Sequence, residues 1–570
     1  MLVAATCLLT FGVFVPFLGI YYDDFVSFYI LERFGVDRLL DLVWGQARPV
    51  FAFLFWLPQN NVLIAHTLML GFHIANGLLL LSILRRAVPK LPLLGTLVAV
   101  LYAVYPLYWL RPTVIALAID GAASLFLLSV ALGLHALRFQ GTRRGLLALA
   151  SLILMPIYFF SYELMFPLEL FRPLLFWLVI GSNGQTDRLR WRRVVIGYLP
   201  WFLMTAALGI YRLLIFEATG FYANIDYNSP EIPTSLDAAF NEFARFIPLF
   251  QQELVGTWLY HVPNALSGGV LPLLAGVAIA AALVAYAIRF RSVAVGSSGN
   301  LRRVLLLLFL SGIAVMVAGQ LTTWVSEASR LPTVEGIRSR WHLASSIGVC
   351  IAWAAAALFL ASFISRKHLP AVASLLLAPM IVVGSALHIR NSQDFVTEWR
   401  QELDVWWQLA WRVQDLKEGT LVILPSQTWT ARNSATFLYE PLIQGDLFFD
   451  NPTIVGGRLT RELLRNRSYV IDNGNWQMRW EWEFENAILL YVNAAGCVDI
   501  IDPTEPLPEG VSLSPAEQEL LAVLPDPDTR IELASDDSFP SRRLFQPEPP
   551  RSACYAYQQA ARQEFDRTSE

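Results

Sequence analysis

From Leu2 to Ile20 the chain carries no charged side chain, and long apolar runs return at 61–84, 92–110, 113–137, 145–162, 165–181, 194–216, 265–288, 304–324, 342–365 and 369–389. About 20 mostly apolar residues in a helix cross a bilayer. The pattern therefore predicts about eleven transmembrane helices. The first run has no basic stretch before it and no small-residue cleavage pattern before Tyr21, so it reads as a retained helix, not a secretory leader.

The intervening segments differ from one another. Residues 21–60 contain FVSFYILERFGVDRLLDLVW, too charged to span yet amphipathic enough to lie along the membrane, which predicts one or two interfacial helices there. Residues 217–264 hold a second amphipathic candidate, SLDAAFNEFARFIPLFQQELVGTWLYHV. After about residue 390 the pattern changes. A tryptophan-rich amphipathic helix, DFVTEWRQELDVWWQLAWRVQDL, is followed by short strand-like runs such as TLVILP and by the Pro/Asp clusters DPTEPLPEG and LPDPDTR. The predicted organisation is an α-helical polytopic membrane domain over 1–390 and a soluble α/β domain over 391–570.

Composition agrees with the membrane reading. The chain is 55% hydrophobic and 15% charged, with mean hydropathy +0.48, where a soluble chain has about a quarter of its residues charged. A net charge of -4 with no block of like charge gives no footing for nucleic acid. Cys7, Cys350, Cys497 and Cys554 lack metal-ligand spacing. The first two fall in apolar runs, and Cys497 with Cys554 is the one pair open to a disulfide, if their region lies outside the cell.

Basic residues give the sidedness. Arg85, Arg86 and Lys90 follow the second run; Arg138, Arg143 and Arg144 the fourth; Arg188, Arg190, Arg192 and Arg193 the sixth. Arg289, Arg291, Arg302 and Arg303 follow the eighth, and Arg366 with Lys367 the tenth. By the positive-inside rule these loops and the N-terminus are cytoplasmic. Residues 21–60, 217–264, 325–341 and the C-terminal domain are then extracytoplasmic, at a cell membrane crossed many times.

Ionisable groups at such an outer mouth are costly unless used. Asp23 and Asp24 in YYDDF are adjacent carboxylates, whose repulsion raises one pKa and suits it to accept a proton; the plain alternative is a solvated acidic turn. His66, His73 and Asn76 share one helical face of the second run, as ligand contacts or as interhelical hydrogen bonds. Glu163 in SYELMFP falls at an outer turn, a third carboxylate or an ordinary turn residue. Arg338 and Arg340, with His342 beside them in VEGIRSRWHLASSIG, sit on the outer side against the positive-inside trend and suit phosphate oxygens, with snorkelling to headgroups as the alternative. Arg48 in WGQARPV and Arg111 in WLRPT are of the same kind. Asp120 and Glu169 lie inside runs with no partner evident. The glycines of VVGSAL and SGGVLPLLAG have helix-packing spacing, and no phosphate loop, HExxH, paired CxxC or nucleophile elbow is present.

Taken in order, YYDDF, WGQARP, His73 and Asn76 in the second helix, and the aromatic-Pro turn YAVYPLYW resemble the polytopic glycosyltransferases of the GT-C fold. That superfamily includes the protein O-mannosyltransferases and the lipid A aminoarabinose transferases. Where relatives often show G-R-P, this chain has Gln46-Ala47-Arg48-Pro49; where some show a second acidic residue after the aromatic-Pro turn, it has Tyr108-Trp109. The resemblance implies an inverting transfer of a sugar from a polyprenyl-phosphate donor to an acceptor hydroxyl on protein, lipid or glycan. A first-loop aspartate is the implied general base, Asp23 ahead of Asp24. Arg338 and Arg340 would stabilise the departing phosphate. No cofactor is called for, and a divalent metal stays open. The competing classes are a secondary transporter using intramembrane carboxylates and a noncatalytic membrane scaffold.

Overall fold

Most of the long apolar runs become long helices, some with a proline inside, as at Pro156, Pro200 and Pro379. In a computed structural model, eight helices among the described residues are long and apolar enough to cross a bilayer: Val62–Ala87, Ala116–Ala136, Gly141–Phe159, Trp191–Ile215, Val270–Arg289, Leu301–Thr323, Arg338–Ile364 and Leu369–Gln401. The chain is a helical multi-pass membrane protein. The described residues are 1–21, 23–181, 187–217, 235–289, 298–326, 333, 337–364 and 368–412. Beyond these come 415–416, 419–424, 455–458, 468–472, 477–492 and 498–507, with 518, 521, 524 and 531–532. Cys497 and Cys554 lie outside them.

Three of the eleven runs are shorter or broken helices. The first is an α-helix, Leu2–Thr10, followed by a 3-10 stretch Gly12–Phe17 that holds Pro16. The run at 92–110 is helical only over Pro92–Ala103. The run at 165–181 divides into a 3-10 segment, Glu163–Phe171, with Pro167 inside, and an α-helix, Arg172–Gly181, with Pro173 near its start. Proline removes a backbone donor and clashes with the preceding turn, so hydrophobicity there does not give a continuous helix.

Contacts divide the chain into two compact units, Met1–Leu18 with Leu40–Phe395, and Gly19–Leu39 with Val396–Glu570. In the first unit the helices Ser298–Gly319 and His342–Ile364 pack backbone to backbone. A Cβ on Gly348 would lie 2.1 Å from the Met316 nitrogen, one on Gly319 2.4 Å from the Ser345 nitrogen, and one on Gly312 2.6 Å from the Ala352 nitrogen. Small residues allow this approach, and dispersion between the backbones holds it. The sequence's packing glycines do likewise: Gly276 meets the Val382 backbone and Gly384 the Val104 carbonyl.

The chain is not helical between Val104 and Ile115, around Pro106. Two of the carbonyls freed by this break are buried and paired. Ala103 O accepts from Arg111 Nη1 at 3.2 Å and lies 3.3 Å from His73 Nε2, and Tyr105 O lies 2.9 Å from His388 Nε2. Arg111, at 2% exposure, is thereby a buried internal cap.

In the second unit, Asp23–Phe34 is a helix that buries Phe25, Phe28, Tyr29 and Ile30. Gly35, at φ +81, ends it, and the helix Val36–Trp44 follows. The described strands Val455–Arg458, Leu421–Leu424, Ala487–Val492 and Val498–Ile500 lie side by side in that order. The first three are parallel and the last antiparallel. Leu421, Val422 and Ile423 are fully buried, as expected of a central strand covered on both faces.

Candidate functional site

In the first unit, WGQARP forms a tight turn after the Val36–Trp44 helix. Gln46 N–H and Arg48 N–H both donate to Val43 O, Ala47 N–H donates to Trp44 O, and Ala47 adopts φ 60. This left-handed position favours glycine. The turn points Arg48 at Glu163, the first residue of the 3-10 segment. Arg48 Nε donates to Oε2 at 3.0 Å and Nη2 to Oε1 at 2.8 Å, a two-pronged fork. Its Nη1 holds Gln46 Oε1 at 3.0 Å, and the guanidinium lies 4.4 Å over the Tyr162 ring. Arg212, in the π-helical turn Tyr211–Ile215, reaches Glu163 Oε1 at 3.5 Å.

Burial on its own would raise the Glu163 pKa. The charges of Arg48 and Arg212 and the Arg48 hydrogen bonds outweigh it and hold Glu163 down at about 2. Glu163 is therefore an anion at neutral pH and unsuited to accept a proton there. Two cations share one carboxylate, and the three side chains are 13–17% exposed. The cluster remains reachable from solvent.

His342 lies elsewhere in the unit, bound to Glu253, a residue the sequence reading passed over inside its amphipathic candidate. Glu253 is fully buried on a single π-helical turn, Gln252–Gly256. Its Oε1 accepts from His342 Nδ1 at 2.5 Å, Gln320 Nε2 at 2.6 Å and Ser345 Oγ at 2.6 Å. His342 Nε2 faces Thr333 O at 3.1 Å. Three donors converge on one carboxylate oxygen, and both ring nitrogens of His342 face acceptors. The available signal was spacing: Glu253, Thr257 and His261 recur every four residues, a polar stripe in an apolar segment.

His73 and Asn76 are buried and engaged inside the bundle. His73 faces the helix break, and Asn76 Nδ2 lies 3.2 Å from both Asp120 O and Asp120 Oδ1 while Ser124 Oγ donates to Asn76 Oδ1 at 2.6 Å. Glu169 also has its partners: Arg172 Nε at 2.5 Å, Arg172 Nη2 at 2.6 Å and Tyr158 OH at 2.8 Å. Arg338 and Arg340 occupy the 3-10 turn Ile337–Trp341 on either side of Ser339, whose Oγ accepts the Trp109 N–H at 3.1 Å.

In the second unit Asp23 opens the first-loop helix, and its side chain lies outside the described residues. Asp24 is fully buried, and its Oδ2 accepts the Tyr21 N–H at 3.0 Å, the backward reach of a capping box. Among the described residues no three His, Cys, Asp or Glu side chains group to hold a metal ion. Compared with protein families, with curated proteins and with solved structures, the chain matches none.

Proposed function

We propose that the protein is a membrane glycosyltransferase of GT-C type that moves a sugar from a polyprenyl-phosphate donor to an acceptor hydroxyl at the outer face of the membrane. The observation that carries the reading is the Arg48–Glu163–Arg212 cluster, where two guanidiniums, the residue type that suits the phosphate of a lipid-linked donor, meet within reach of solvent. A lipid phosphate leaves readily once its oxygens are met by cations, so a base on the acceptor hydroxyl suffices. Asp23 is the proposed base. Asp24 already spends a carboxylate oxygen on the Tyr21 N–H. Attack opposite the departing phosphate inverts the anomeric carbon.

The test uses purified full-length protein with polyprenyl-phosphate sugars and hydroxyl acceptors. Sugar transfer is expected for wild type, reduced by about 100-fold or more in Asp23→Asn, the usual range for removing a general base, and retained in Asp24→Asn at a pH where the protein is stable. Equal turnover in all three sinks the mechanism. No turnover with any donor leaves the scaffold reading.

A further inference from the structure

The first-loop helix Asp23–Phe34 has 12 residues, a length at which an isolated helix is marginal in water. Its order must come from packing. It buries Phe25, Phe28 and Tyr29, and by contact it groups with Val396–Glu570, more than 350 residues further along the chain.

Two tryptophans from that distant part meet it. At its start Gly19 lies against Trp399 of the Leu369–Arg412 helix, so closely that a Cβ on Gly19 would overlap the indole, and the Tyr21 ring meets Trp399 edge-on at 6.1 Å. Tyr21 also supplies the N–H that Asp24 accepts, and its hydroxyl accepts the Gly19 N–H at 3.0 Å. The turn that starts the helix is thereby tied to Trp399. Further along, the Tyr29 ring lies 5.9 Å from that of Trp480, which is buried on the strand Gln477–Glu481. That strand is itself held by its antiparallel partner, Ser468–Asp472. Contacts at the start and in the body of a short helix set its position and rotation, and so those of its first residue, Asp23.

We propose that Trp399 and Trp480 are positioning residues for sugar transfer: the C-terminal part of the chain holds the first-loop helix, and with it Asp23, where the acceptor hydroxyl gives up its proton. This rests on the reading of Asp23 as the base. A misplacement of about 1 Å can cost on the order of 100-fold in rate. A loosened clamp therefore lowers kcat, while the donor phosphate is still met by Arg48 and Arg212.

Hydrogen exchange and sugar transfer, measured on the same full-length protein in phosphatidylcholine nanodiscs, test it. Trp480→Ala is expected to speed amide exchange over 23–34 by about tenfold, the upper range for losing an aromatic pair, with exchange over 62–87 unchanged. Its kcat is expected to fall by about tenfold or more at an unchanged KM for the polyprenyl-phosphate sugar. Trp480→Phe, which keeps a ring facing Tyr29, is expected to restore most of both. If Trp480→Ala does not elute as wild type, Tyr29→Leu removes the same ring contact from the helix side. Exchange over 23–34 that stays at the wild-type rate, or faster exchange there with kcat unchanged, overturns the proposal and leaves the transferase reading standing. Wild-type protein that transfers no sugar from any donor removes the transferase reading, and the catalytic role of the clamp with it.

Discussion

Replacing Glu163 by glutamine keeps the shape of the side chain and removes its charge, leaving Arg48 and Arg212 facing a neutral amide. The carboxyl is held at about 2 against an ordinary 4.5, a difference worth about 3 kcal/mol in favour of the ionised folded protein. Because the folded value is the lower one, this stabilisation is complete above pH 4.5 and is lost as the pH falls towards 2. Glu163→Gln should therefore lower the thermal midpoint by a few degrees at pH 7, and the gap to wild type should close between pH 4.5 and 2. The assay is thermal unfolding of purified wild type, Glu163→Gln, Arg48→Met and the double variant across that range. The double variant should lose less than the sum of the singles, since both remove one fork. A gap that stays constant with pH, or additive losses, would refute the assignment of Glu163 as a charge-paired anion.

Ala47 sits at φ 60, so Ala47→Gly should stabilise the first unit by a few tenths to about 1 kcal/mol, read as a raised midpoint; a lowered midpoint would count against the turn. Gly348→Leu should abolish monodisperse elution, since its Cβ alone would reach 2.1 Å from backbone, whereas Gly71→Ala, with nothing within 4 Å, should be tolerated or raise stability by up to about 1 kcal/mol. Arg172→Met leaves Glu169 buried and unpaired and should cost about 3–5 kcal/mol, with part of that recovered in Glu169→Leu/Arg172→Met; no recovery would show that packing, not charge, dominates there.

The long helices were legible because length and hydrophobicity alone define them, as at 62–87, 116–136 and 270–289. The runs at 2–20, 92–110 and 165–181 misled because hydrophobicity reports the solvent a segment prefers, not whether its hydrogen bonds continue; they break near Pro16, Pro106 and Pro167, while Pro156, Pro200 and Pro379 are carried inside unbroken helices. Arg48 and Glu163 were each visible as polar residues at outer turns, but 115 residues separate them, and no local pattern predicts that pairing. Asp120 and Glu169 lacked evident partners for the same reason, although Arg172 stands one turn from Glu169. Glu253 was missed because its neighbours made the segment look like a surface helix, and the four-residue recurrence through Thr257 to His261 was the signal against that.

The interrupted helix around Pro106 also bears on how the chain assembles. Its free carbonyls are answered by groups from three stretches, His73 before it, Arg111 within it and His388 near the end of the membrane-embedded part. A ribosome releases these in order, so the segment enters lipid long before His388 exists. Bare carbonyls in hydrocarbon are costly; Ala103 O can meet His73 and Arg111 early, whereas Tyr105 O gains His388 only when the Leu369–Arg412 helix packs. A chain truncated before residue 369 would carry the unfinished break exposed, a ready signal for membrane quality control.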